Sequence, residues 1–408
     1  MARWLGVDFG TSNTSAAVLE NGRPRLIELE PGRVSVPTAV FLDYGSKRML
    51  FGTAAVEALV GGREGRFLRA LKRVLGTPLM RERRQLLSRR MTLVELVGEV
   101  LARVRTRAED DAGERLDRVV AGRPVVFHAE HERDVQAAVD LEEAYRIAGF
   151  EEVAWLTEPE AAARACGVRD GLGIVVDIGG GTSDFAVFAA EAGRTRVLAS
   201  EGVRVGGTDA DKALSLAHAM PLLGMGTRLK AQIGSAMHEV PVAPFHDLAT
   251  WERIGFLQTP EMTREAARMW RLAERPERIG RLQTVLESGL GFDLAFAVEE
   301  GKIAANGGMG RIDLAVIEPG LGAPLDAERL ARDLGPLTEA IAAGALRATK
   351  HAGVAPEAVT HVVHVGGSSL LDPIRRAMAD LFPRARPVET AAFTAVAEGL
   401  ALAAGERS

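Results

Sequence analysis

Two stretches of this chain carry the same unusual phrase. Gly6–Thr14 reads GVDFGTSNT and Val175–Asp184 reads VVDIGGGTSD, with Asp8 and Asp177 169 positions apart. Each is an apolar run ending in an aspartate, followed by a glycine turn and small hydroxyl residues. Such a run bounded by glycine predicts a buried strand entering a hairpin. A glycine turn leaves several backbone N–H groups open on one side, because no Cβ blocks close approach, and these form a nest for an anion. The hydroxyls of Thr11, Ser12, Thr182 and Ser183 add donors. An aspartate directly before the turn repels a phosphate but suits a Mg²⁺ carried by it, held largely through water. Either turn alone is an ordinary hairpin turn. Two of them, each at the first hairpin of one half of the chain, suit a polyphosphate and its metal gripped from both sides.

The restart of the pattern sets the organisation. At 408 residues the chain exceeds one ordinary core. It reads as two α/β lobes, 1–168 and 169–408, the second carrying a mainly helical insert at about 212–305. Periodicity predicts helices at Arg66–Leu75 and Met91–Arg105, and a basic helical stretch through Arg81–Arg84 and Arg89–Arg90. A third glycine site lies late, in HVVHVGGSS (His361–Ser369). There an apolar strand meets Gly366 and Gly367 and then a helix from near Ser369. Glycines at such a crossing admit a flat ligand closely, and a helix N-terminus favours negative charge.

Other designs are excluded by what is missing. The sequence holds no G-x-x-x-x-G-K-[ST], no G-x-G-x-x-G between a strand and a helix, and no protein-kinase signature set. A net charge of −5 without a polybasic patch argues against nucleic acid as a partner. No run of about 18 apolar residues predicts a membrane span, and the first 20 residues lack an apolar leader, so a cytoplasmic protein is expected. The single cysteine, Cys166, permits no internal disulfide, and the histidines have no carboxylate or cysteine cluster with metal-ligand spacing.

On GVDFGTSNT, DIGGGTSDF and HVVHVGGSS the chain resembles the actin-like ATPase superfamily, at its two phosphate motifs and its adenosine motif. The intervening segments look most like the DnaK-type heat-shock chaperones. ALKRVLG (Ala70–Gly76) resembles the segment of the catalytic lysine, matching Lys72, and AGRPVVF (Ala121–Phe127) the strand of the switch proline, matching Pro124. LTEPEAAA (Leu156–Ala163) places a glutamate at Glu158, VRVGGTDAD (Val203–Asp211) resembles the turn after the second phosphate motif, and AVEEGKIA (Ala297–Ala304) the adenosine-contacting helix. MPLLGMG (Met220–Gly226) and NGRPRLIELE (Asn21–Glu30) are similar to the short YegD-like branch.

The resemblance implies an actin-like fold, two related lobes of mixed sheet and helices about a nucleotide cleft, and ATP or ADP with Mg²⁺ as ligands. It implies phosphate contacts from Gly10, Thr11, Ser12 and Asn13, from Gly179, Gly180, Gly181 and Thr182, and from Gly206 and Gly207. Adenosine contacts fall on Glu299, Lys302, Asn306, Gly366, Gly367 and Ser368. Asp8, Asp177 and Asp184 would surround a hydrated Mg²⁺ with Glu158 nearby, while Ser12 and Thr182 would donate near the γ-phosphate and Lys72 would orient the attacking water. Only six of the 50 basic residues are lysines, and two of the six, Lys72 and Lys302, fall at these nucleotide positions.

The chain also departs from the pattern. Few residues follow the last predicted helix, at about Ala391–Ala403, so no peptide-binding domain is expected. Ile303 and Leu370 stand where the family sandwiches the base between arginines, Phe393 near a usual aspartate, and Asn306 at a usual serine. The expectation is a chaperone-like protein that binds Mg-ATP, hydrolyses it slowly and so switches its lobe angle toward a protein partner or co-chaperone. The alternative is a non-catalytic nucleotide-sensing scaffold. A small-molecule kinase of the same superfamily is less favoured, because Lys72 and Glu158 match chaperone-type positions.

Overall fold

The computed structural model describes residues 3–231, 235–257, 259–388, 390–391 and 393–407. By compactness these form two units, 1–207 with 338–408, and 208–337.

The first unit contains two sheets built to one plan. In the first, β1 (Trp4–Phe9), β2 (Asn13–Glu20), β3 (Arg23–Leu26), β4 (Arg118–Arg123) and β5 (Glu152–Thr157) lie in the order β5-β4-β1-β2-β3, with a short strand Ser35–Pro37 also on β2. In the second, β6 (Gly171–Ile178), β7 (Ser183–Glu191), β8 (Arg194–Val203), β9 (His361–Val365) and β10 (Arg386–Val388) lie in the order β8-β7-β6-β9-β10. Strand senses repeat as well. The first three strands of each sheet form an antiparallel meander, and the next two join parallel to the first. The repeated phrase therefore occupies the same position in each sheet, the turn from the central strand into its hairpin partner.

Central strands in such sheets are covered on both faces, which is why β1 and β6 read as near-continuous apolar runs. Between the sheets lie two small-residue helices, α2 (Glu158–Ala165) and α4 (Ala395–Gly405). Their alanines share one core with Trp4 and Val120 of the first sheet and Val175, Ala186, Phe188, Val363 and Val365 of the second. A second core of the first sheet packs under α1 (His131–Ile147), around Leu141, Ala144, Tyr145 and Phe150. Among the described residues no helix is long and apolar enough to cross a membrane.

Three local expectations are corrected. Arg66–Leu75 is not a helix: Gly65–Arg69 is a strand paired with Ala39–Asp43, followed by a single 3₁₀ turn over Leu71–Val74. Strand pairing at a distance overrides the local helical spacing there. The arginine-rich stretch is a hairpin, Arg84–Leu86 against Arg89–Met91, with Leu87 left-handed at its tip (φ 56°). The strand at His361–Val365 leads into a 3₁₀ turn, Gly367–Leu370, and the helix begins only at Asp372.

The second unit, Thr208–Leu337, is mainly helical. It includes α3 (Gly291–Asn306), which carries Glu299, Lys302 and Asn306, and two two-stranded hairpins.

Candidate active site

The two glycine turns have the same hydrogen bond. Gly10 N–H donates to the Asn13 carbonyl at 2.9 Å, and Gly179 N–H to the Thr182 carbonyl at 3.0 Å. A Cβ on Gly10 would overlap that Asn13 carbonyl, so this position needs glycine. The turns also meet: a Cβ on Gly180 would lie 3.1 Å from Thr11 Cβ, and one on Gly181 3.0 Å from Thr11 Oγ1. Gly206 and Gly207 back the second turn, with Gly207 N–H donating to the Gly179 carbonyl at 2.9 Å. Gly366 is left-handed (φ +76°) and brings the third glycine segment to Asp177, so close that a Cβ on Gly366 would fall 3.2 Å from Asp177 Oδ1.

Around these turns the unit gathers four carboxylates and one ammonium. Asp8 lies on β1, opposite Ser15, and Asp177 on β6, directly opposite Asp184 on β7. Asp184 is 1% exposed and accepts the Val125 N–H at 2.7 Å, just beyond Pro124 at the end of β4. Glu158 opens α2 and accepts a hydrogen bond from the buried Lys72 ammonium. Of the hydroxyls, that of Thr182 bonds Asp184, whereas Ser183 is fully buried and donates to the Val205 carbonyl at 2.6 Å. Ser183 thus serves the fold, not an anion.

Electrostatics follow from this crowding. Burial pushes the Asp8 carboxyl up to about 7, Glu158 adds to the rise, and Lys72 opposes it. Asp184 is likewise raised to about 7 by burial and then Glu158, against the bonds from Thr182 and Val125. Asp177 is raised well above the carboxylate range by burial, then by Glu158, Asp184 and Asp8. Burial alone would lower the Lys72 ammonium, but Glu158, Asp8 and Asp184 outweigh it and hold it above the usual lysine value.

The crowding of these four acids, offset only in part by Lys72, is the donor chemistry a divalent cation fits. Among the described residues no three acidic, histidine or cysteine side chains close on a common point as direct ligands. The set therefore suits a cation held through its hydration shell.

A pH dependence of the ligand-free protein follows. Asp8 and Asp184 have folded values above their unfolded value of 3.8, so their stabilising contribution is full below it and is lost as pH rises toward about 7. In thermal melts with chelator, Asp184→Asn is expected to raise Tm at pH 8 and to raise it distinctly less at pH 5, where only part of the loss between 3.8 and about 7 has accumulated. An equal shift at both values would refute the assignment of charge.

Glu299, Lys302 and Asn306 lie on α3 in the second unit. There the Lys302 ammonium, 6% exposed, donates to Asp211 Oδ1 at 2.5 Å, and Trp251 Nε1 donates to Asp211 Oδ2 at 3.0 Å. Burial raises the Asp211 carboxyl, Lys302 opposing and Glu299 adding to the rise. Asp211 closes the Val203–Asp211 motif without an expected role, and nothing in its spacing reveals its partner 91 residues away. Of the four replaced positions, three are open to solvent, with Ile303 63%, Leu370 38% and Phe393 53% exposed, while Asn306 is half-buried. In the first unit the Phe393 ring lies against Gly367.

Two mixed sheets of one topology, each turning through an aspartate–glycine phrase at its central strand, define an actin-like ATPase fold. Residues 4–221 match the family described as Hsp70 protein, and the chain belongs to the Hsp70 family. It is similar to the chaperone protein DnaK of Thermoplasma acidophilum, 33% identical over 223 residues, covering 52% of this chain and 35% of that protein. It is similar to the chaperone protein DnaK of Elusimicrobium minutum, 35% identical over 224 residues, covering 52% of this chain and 34% of that protein. The match thus spans about a third of the length of these relatives. The family match includes Asp8, Lys72, Glu158, Asp177 and Asp184, while α3 and the Gly366–Ser368 segment lie beyond it.

Proposed function

We propose that this chain is a chaperone-type nucleotide switch of the YegD-like kind, in which lobes 1–168 and 169–408 bind Mg-ATP through the paired glycine turns, hydrolyse it slowly and signal the nucleotide state to a protein partner or co-chaperone. The observation that carries the reading is the convergence of Lys72 and four carboxylates on two facing glycine turns. The two glycine turns, 10–13 and 179–182, cradle the phosphates, and the hydroxyls of Ser12 and of Thr182, the latter released from Asp184, donate near the terminal one. Asp8, Asp177 and Asp184 would hold a hydrated Mg²⁺, which would supply charge neutralisation to the phosphates. Lys72, fixed by Glu158, holds the attacking water by one N–H and stabilises charge as it develops. Proton release to solvent then completes hydrolysis without covalent participation by the protein. The lobe angle follows from whether the two turns are bridged by a terminal phosphate.

A second reading, a non-catalytic nucleotide-sensing scaffold, is favoured by the apolar Ile303 and Leu370 where the family presents guanidinium planes, since cation–π attraction to a base is lost. Calorimetric titration with ATP, ADP and GTP in Mg²⁺, paired with a phosphate-release assay, separates the two. The switch predicts saturable Mg-dependent ATP binding with slow phosphate release. Binding without release supports the scaffold, and no binding of any nucleotide defeats both.

A further inference from the structure

The segment that presents Lys72 is held by groups the nucleotide reading does not use. Its backbone is unusual at both ends. Ala70 has φ 59° and ψ 30°, a left-handed conformation unfavourable to any residue with a Cβ, and Gly76 is left-handed at φ +77°. Between them is one 3₁₀ turn, closed by Arg73 N–H to the Ala70 carbonyl at 3.0 Å. A single such turn does not hold its own shape, so its geometry has to be imposed from outside.

The imposing group is Asp140 on α1, which is 0% exposed. Its Oδ2 accepts the Gly76 N–H at 2.8 Å. Its Oδ1 accepts Arg81 Nε at 3.0 Å and Gln136 Nε2 at 2.8 Å, and the Arg81 guanidinium adds an ion pair at 2.8 Å. One residue before Gly76, the Leu75 carbonyl accepts the Nε2–H of the buried His128 at 2.6 Å. α1 approaches so closely that a Cβ on Gly76 would come within 3.0 Å of Ala137 N. A buried carboxylate satisfied by several donors is costly to disturb, since any donor it releases is left unpaired.

We propose that Asp140 is a positioning residue for Lys72: from α1 it fixes the Gly76 end of the segment, His128 holds the adjoining carbonyl, and together they set where the Lys72 ammonium stands against Glu158. The inference rests on the reading of Lys72 as the group that orients the attacking water. A purely scaffolding role would lower stability without separating turnover from binding.

The test uses the full chain with Asp140→Ala and Asp140→Asn. Three quantities are read: phosphate release at saturating ATP, ATP affinity by calorimetry, and the ammonium resonance of Lys72 in protein labelled with ¹⁵N-lysine. Six lysines keep that spectrum assignable, with Lys72→Arg marking the signal. Displacement of a catalytic group by about 1 Å costs roughly 10²-fold in rate. Asp140→Ala is therefore expected to slow release by about that factor, leave affinity within a few-fold, and shift the Lys72 resonance. Asp140→Asn, which keeps an accepting oxygen, should fall between. A folded Asp140→Ala protein with wild-type release and resonance overturns the proposal, as does a loss of release matched by an equal loss of affinity. Should Asp140→Ala not fold, His128→Phe, which removes only the donor to Leu75, decides by the same criteria. Should the wild-type protein release no phosphate, the hydrolysis reading fails, and the Lys72 resonance alone then upholds or overturns the role of Asp140.

Discussion

Lys72→Ala is expected to reduce phosphate release by about 10²- to 10³-fold, as removal of one preorganised charge donor does elsewhere, while ATP affinity changes only a few-fold. The argument is differential. Lys72 is paired with Glu158, so ground-state binding draws little on it. What disappears is the N–H that holds the water and the charge that meets the developing negative charge. The remaining carboxylates then lose the Lys72 charge that opposes their raised proton affinity, so release should also become more dependent on Mg²⁺ concentration. Lys72→Arg is not expected to restore the rate, because a planar guanidinium cannot present one compact donor in a site shaped for an ammonium. Single-turnover phosphate release, with calorimetry on the same samples, measures both quantities. Turnover equal to wild type in Lys72→Ala sinks the assigned role.

The second large effect is on the fold. Gly399→Val should destabilise the protein by about 3 kcal/mol or more, the range of severe overpacking. Gly399 lies where α4 crosses α2, and a Cβ there would overlap the backbone carbonyl of Ala161. A flexible side chain could move aside, but a helix backbone cannot. These two helices fill the core shared by both sheets, so separating them loosens the packing behind Asp8 and Glu158 together. Gly335→Ala is the control: no atom comes within 4 Å of its added Cβ. It is expected to change stability by no more than about 0.5 kcal/mol. Urea denaturation monitored by circular dichroism compares them, and equal midpoints would show that the α2–α4 contact contributes nothing.

The central hairpins and their glycines were legible in the sequence because they are local. A turn whose Gly10 or Gly366 cannot carry a Cβ leaves its mark in the residues themselves, and a strand covered on both faces leaves an apolar run. The repetition of the phrase also exposed the duplicated sheet, since the same backbone problem is solved twice. Lys72 and Glu158 were placed by resemblance, 86 residues apart, and no spacing joins them.

Other features were set by contacts made at a distance. Whether residues 65–69 form helix or strand depends on Ala39–Asp43 as pairing partner, which no window around them contains. Ser183 and Thr182 are neighbours of one chemistry, yet at the start of β7 one hydroxyl reaches the Val205 carbonyl while the other, from the turn just before it, reaches Asp184. Asp140 reads as one more acid on a polar helix, and only the approach of Gly76 makes it a clamp. The order of residues alone dictates where the backbone must bend tightly and which strands must be covered, because steric and hydrophobic demands act within a few residues. Which buried charge meets which was settled in the folded chain, since long-range pairing is chosen by the geometry of desolvation and has no local signature.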